Sequence, residues 1–188
     1  MARGLPGGVL WAVVIAATVA TMGIGGCGGD DDESNPPTFE SDTFPFTFEH
    51  PDGFELSEDV SISQELGGAA DETVAIGMDD DNALLLQRFT LNLEINERTL
   101  VLAKRELDRL VQQYDPGAAP GEPGELAGFP SLTYDEVALT TPEDGRSRIV
   151  ALFDADQEYL VNCQSTPEGR EEIEEACDLM VETLAPSE

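Results

Sequence analysis

The chain is poor in the side chains that do chemistry near neutral pH. Among its 188 residues there is one histidine, His50, and one lysine, Lys104. His50 sits before Pro51 in a turn-forming stretch, and no nucleophile motif pairs with it, so a general-base role lacks its other half. Serines are present, yet no G-x-S-x-G elbow or S-x-x-K pair activates one, and no G-x-x-x-x-G-K loop cradles a phosphate. Positive charge is equally scarce: nine Lys and Arg stand against 39 Asp and Glu, a formal net charge of −30. Such a surface repels phosphate backbones and anionic headgroups, which disfavours nucleic acid as a partner. With so many acids, carboxylate pairs suited to acid–base work single out no site. The sequence reads as that of a non-enzyme.

Cysteine is rare as well, and the first of the three carries an address. Arg3 is the only charged side chain among the first 29 residues, and residues 9–24 are apolar apart from Thr18, Thr21 and Gly23. Small Gly25 and Gly26 then precede Cys27. Ile24-Gly25-Gly26-Cys27 resembles a lipobox, the recognition site of the bacterial lipoprotein signal peptidase. The resemblance implies that residues 1–26 are a signal peptide and that Cys27 becomes an acylated (palmitate-type) N-terminus on the extracytoplasmic face of the cell membrane. A spanning anchor fits less well, because 16 helical residues at ~1.5 Å each reach about 24 Å, short of a roughly 30 Å hydrocarbon core. Removing residues 1–26 leaves 162 residues carrying all 39 acids and eight of the nine bases, a side-chain charge of −31. That length suits one domain on a tether.

Residues 27–42 are expected to be the tether. They hold Gly28, Gly29, Asp30, Asp31, Asp32, Glu33, Pro36 and Pro37, with Phe39 as the one bulky apolar side chain, too little to order a chain. A flexible segment of that length reaches about 20 to 24 Å. The folded domain is expected over residues 43–185. Alternating Phe44, Phe46 and Phe48 mark one face of a strand, and His50-Pro51-Asp52-Gly53 reads as a turn. Strands are expected at 60–65, 73–78 and 83–95, the last bent or bulged where apolar parity shifts between Leu86 and Phe89. Over 98–114 the period changes: Leu100, Ala103, Leu107, Leu110, Val111 and Tyr114 fall within about 100° of one another on a helical wheel. Residues 115–128 are expected as a loop, followed by a meander over 131–140, 146–153 and 157–163. Thr166 is expected to cap a last helix, with Pro167 at its first position and Ile173, Cys177, Met180, Val181 and Leu184 along its apolar stripe.

The remaining cysteines, Cys163 and Cys177, are an even pair in an exported chain, which points to a disulfide. Cys163 shares a strand face with Tyr159 and Val161, and Cys177 lies mid-stripe on the last helix, so both thiols belong to one helix–sheet interface. The element order gives an α+β fold, an antiparallel sheet flanked by helices.

Phe46-Thr47-Phe48-Glu49-His50-Pro51-Asp52-Gly53-Phe54 is similar to the opening of PsbP-like (Mog-type) domains, where an aromatic strand runs into a Pro-x-Gly-aromatic turn. The strands at 148–153 and 158–163 and the helix ending at Leu184 resemble the close of the same family, especially its LpqN-type lipoprotein members. The resemblance implies an α/β/α sandwich and a binding or assembly module, and it transfers no partner.

Two features remain. Asp79-Asp80-Asp81-Asn82 and Asp154-x-Asp156 put oxygen ligands at turns, but neither has the D-x-[DN]-x-[DN]-G spacing of a calcium loop, so no metal site is assigned. The first helix concentrates positive charge: Arg98, Arg105 and Arg109 fall within about 40° on the face opposite its apolar stripe. Guanidinium forks there suit an acidic partner or an anionic glycan. The competing reading is a solvated face on which Glu106 and Asp108 form ordinary intrahelical pairs. Together these readings give a cell-envelope lipoprotein that acts as a protein-interaction module, with no cofactor beyond the lipid on Cys27. It is held at the membrane by that lipid and bound to another envelope protein. The alternative is a small-ligand or Ca²⁺-binding carrier with a groove between sheet and helix.

Overall fold

A computed structural model of the chain describes residues 35–57, 70–96 and 98–187. The lipobox, Cys27, the acids at 30–33 and the strand expected at 60–65 lie outside these residues. The elements are β1 (Thr38–Phe39), β2 (Phe46–Glu49), β3 (Glu55–Ser57), β4 (Glu72–Gly77), β5 (Ala83–Thr90), α1 (Leu100–Tyr114), β6 (Glu122–Leu126), β7 (Phe129–Ala138), β8 (Arg146–Asp154), β9 (Gln157–Ser165), α2 (Arg170–Thr183) and β10 (Ala185–Pro186). Seven strands form an antiparallel sheet in the order β3-β4-β5-β9-β8-β7-β6, and β1-β2-β10 form a small second sheet. The fold is α+β, as the element order implies.

The interior strand β5 shows why the fold has three layers. Ala83 through Gln87 are all buried, so both faces of the strand are covered. Leu84 and Leu86 join Val150, Leu152 and Val161 in a core closed by Ile173, Ala176 and Met180 of α2 and by the β1–β2 aromatics. Phe89 points the other way, into a core made by Leu107 and Val111 of α1 with Leu132, Ile149 and Leu160. The parity shift between Leu86 and Phe89 is therefore a change of layer. Pairing with β9 runs unbroken from Ala83↔Gln164 to Thr90↔Gln157, without the expected bulge, and β5 ends at Thr90 rather than at Ile95. Beyond it, Leu91 and Ile95 donate backbone N–H bonds to Asp156 and Ala155 in the β8–β9 turn.

Three other expectations are corrected. Residues 35–42 belong to the folded unit: Phe39 is buried, stacks on Phe48 at 4.9 Å, and its strand pairs with β2. Burying that ring gains roughly 1.5–3 kcal/mol, and the backbone pairing of β1 with β2 and the His50 N–H bond to Pro37 O add to it. The stretch expected to be a loop contains β6, which pairs with β7 through a two-residue turn, Ala127-Gly128, at φ +52° and +85°. Positive φ at both central residues gives the turn the twist of a tight hairpin. β6 escapes the strand pattern because it is an edge strand, Glu-Pro-Gly-Glu-Leu, whose Pro123 and two glutamates are the means by which edges avoid further pairing. Finally, α2 begins at Arg170, not beside Thr166. The Thr166 hydroxyl donates to Asn82 Oδ1 at 3.1 Å and accepts from Gly169 N at 3.3 Å, so it fastens the β9–α2 loop to the β4–β5 turn.

Candidate functional site

The solvent face of α1 is one of two places where chemistry converges. Thr99 Oγ1 accepts from Asn96 N and donates to Glu94 O, both at 2.8 Å, which fixes the helix start at Leu100 and leaves Arg98 in the turn before it. Arg109 is paired with Glu106 at 2.5 Å, and its hydrogen bond holds the Glu106 carboxyl below the usual range. Lys104 is paired with Asp108 at 2.7 Å. Two of the helix's cations are thus used within the helix, while Arg98 and Arg105 make no ion pair among the described residues. The charge reading missed what lies between them. Val101 is 63% exposed, and Leu102 and Leu93 are each 42% exposed. On the helical wheel Val101 and Leu102 sit within about 60° of the arginine ridge, a signal readable in the sequence. The surface is amphipathic rather than merely basic.

Asp108 holds this helix to the sheet. Its carboxylate accepts from Lys104 Nζ, from Gly121 N at 2.9 Å and from the Tyr134 hydroxyl at 3.0 Å. Burial raises its pKa, but the three donors outweigh burial and hold it below the ordinary value. Burial and the nearby Asp108 charge push Tyr134 well up. Glu158, facing the same layer, is pushed up to about 7 by burial.

The second place is a groove between α2 and the sheet, about 250 Å³, whose lining includes both disulfide cysteines, Cys163 and Cys177. The cysteines meet as the shared interface implied, with Cα atoms 6.0 Å apart. Three arginines line the same groove, Arg146 and Arg148 from one face of β8 and Arg170 from the first position of α2. Arg148 bridges Asp178 of α2, at 2.5 Å, and Asp135 of β7, at 3.2 Å. Asp135 and Glu136 form a break in the β7–β8 register between Tyr134 and Val137, with Glu136 at φ +53°. A non-glycine residue in that region costs on the order of 1 kcal/mol, and bulges of this kind re-aim side chains beside sites. The Arg170 Nε is buried without a hydrogen-bond partner, a state that costs about 1–3 kcal/mol, whereas the Arg148 Nε lies 3.2 Å from the Asp135 carboxylate. Sequence reasoning passed over these arginines. Two signals were available: the i, i+2 pair Arg146-x-Arg148, and a cation in the first turn of α2, where the helix dipole disfavours it.

The other candidates are used structurally. His50 is buried, its backbone N–H donates to Pro37 O at 2.9 Å, and its Nδ1 lies 3.2 Å from Pro51 O. Asp79 Oδ1 accepts from the backbone N–H of Asp81 and Asn82 and from Asn82 Nδ2, so its carboxylate builds the turn. Among the described residues no three His, Cys, Asp or Glu side chains converge as metal ligands, and no helix is long and apolar enough to cross a membrane.

No protein-family model and no curated protein matches the chain. The solution structure of cyanobacterial PsbP (CyanoP) from Synechocystis sp. PCC 6803 is similar over 87% of this chain and 98% of its own, with a TM-score of 0.56 at 11% identity. The fold is PsbP-like. A crystal structure from Bacteroides thetaiotaomicron VPI-5482 overlaps 81% of this chain and 49% of its own, at 11% identity and a TM-score of 0.48. At such identity the PsbP-like likeness is one of architecture, and function rests on the residues of the sites.

Proposed function

We propose that the protein is a non-enzymatic, lipid-anchored envelope protein that works by binding an acidic surface of another envelope protein through the solvent face of α1. The observation that carries this reading is the cluster at the start of α1. Three of the five large exposed apolar side chains among the described residues, Leu93, Val101 and Leu102, fall in the segment that also presents Arg98 and Arg105. Apolar anchors flanked by guanidinium groups are what a protein-binding surface uses: the anchors give up water, and the arginines select carboxylates. The lipobox resemblance supports the anchor, and the structural uses of His50 and Asp79 support a role without catalysis. A tethered partner needs little intrinsic affinity, because confinement at one membrane raises its effective concentration.

The test is cross-linking capture of the full-length protein from intact cells, with Cys27→Ala and the pair Val101→Ser/Arg105→Glu alongside. One dominant acidic partner, lost in both variants while the pair variant melts at the parent temperature, is the expected outcome. Undiminished capture by the pair variant refutes the α1 surface, and undiminished capture by Cys27→Ala refutes the anchor.

A further inference from the structure

The groove beneath α2 has the inventory of a site for a small ligand, and the argument for it is independent of the α1 face. Among the described residues the Nε of Arg170, which lines this groove, is buried without a hydrogen-bond partner. Unpaired buried donors in a native structure call for an acceptor that the protein itself does not supply. Three arginines and four carboxylates line the groove. Arg148 is occupied by Asp135 and Asp178, whereas Arg146 and Arg170 on one side and Glu136 and Glu174 on the other form no ion pair among the described residues. Arg170 has only a neutral partner, the Asp144 carbonyl at 3.3 Å from Nη2. Cations and anions interleaved around one space disfavour a phosphate or a dicarboxylate, which would meet carboxylates wherever it turned. They complement a molecule carrying one charge of each sign. Of the remaining lining, Ser147 and Ser165 are polar, while Ile173 and the disulfide are apolar and offer contact to a short aliphatic body. At about 250 Å³ the groove lies just below the ~300–1,000 Å³ of sites for drug-sized ligands.

We infer that the groove between α2 and the β7 bulge binds a small zwitterion, an α-amino acid or a short peptide. Arg146 and Arg170 take its carboxylate, and Glu136 and Glu174 take its ammonium group. The strained conformation of Glu136 then has a purpose, since the bulge turns its carboxylate toward the arginines' side of the sheet.

The test uses the full-length chain in detergent micelles and follows the arginine Nε–H signals by ¹H–¹⁵N correlation spectroscopy. Four probes are titrated: L-alanine, L-alanyl-L-alanine, its N-acetyl form and its C-terminal amide. Saturable shifts of the Arg170 Nε–H signal are expected with alanine or with the dipeptide, and the tighter of the two identifies the source. Capping either terminus should weaken binding at least about tenfold, as removal of one charge-assisted contact requires. Arg170→Gln and the more exposed Arg146→Gln should each weaken it about tenfold, while Arg105→Gln on α1 leaves it unchanged; the dispersion of the backbone signals reports that each variant is folded. No saturable shift with either free probe overturns the inference, as does inorganic phosphate binding more tightly than both, or full affinity in folded Arg170→Gln and Arg146→Gln.

Discussion

Replacing both buried cysteines, Cys163→Ala/Cys177→Ala, removes the covalent tie between β9 and the middle of α2. The magnitude follows from the loop. The bridged residues are 14 apart, and the chain entropy that such a link withdraws from the unfolded state is worth on the order of 3 kcal/mol. Both side chains are buried, at 3% and 1% exposure, so the alanines also leave a small void beside Ile173, which adds to the loss. For a domain of this size 1 kcal/mol moves the melting temperature by about 2–4 °C, so the double variant should melt about 6–12 °C lower. Scanning calorimetry of parent and variant at the same pH reads this directly, and non-reducing peptide mapping of the parent checks that the link is formed. A variant melting within about 2 °C of a parent whose link is confirmed would refute the argument that loop closure, rather than local packing, is what the bridge contributes.

Two further predictions concern titration. Glu158 has a folded pKa of about 7, above its ordinary value of 4.5, so the stability its neutral form confers is complete below pH 4.5 and is lost as pH rises through 7. Glu158→Gln cannot ionise; it should equal the parent near pH 4 and exceed it by up to about 3 kcal/mol at pH 8, and an equal difference at both pH values in urea melts would show that burial is not the cause. Asp108 is shifted the other way, so its contribution is present above the ordinary aspartate pKa and is lost as pH falls through its lowered value. Asp108→Asn should cost about 2 kcal/mol at pH 7 and flatten the acid side of the stability curve; a parallel acid limb in the variant would count against the helix-to-sheet role given to this carboxylate.

By itself, the sequence determined whatever depends on a residue's own period along the chain. The stripes of α1 and α2, the meander of β7, β8 and β9, the Pro51–Gly53 turn and the meeting of Cys163 with Cys177 all follow from which side chains recur at 3.6 or 2.0 residues, because burial on one face imposes that recurrence. Tertiary structure decided what depends on neighbours far away in sequence. Phe39 and the β10 segment become strands only because β2 lies between them, and Glu122–Leu126 becomes one only because β7 offers it an edge. The groove is the clearest case: Arg146 and Arg148 look like the wet side of a strand, Arg170 like the entry to a helix, and Glu136 like part of a regular run. Only the bulge in β7 and the packing of α2 over β8 and β9 put these charges around one space. Local periodicity records how much water each residue sees, but it does not record which residues share that water.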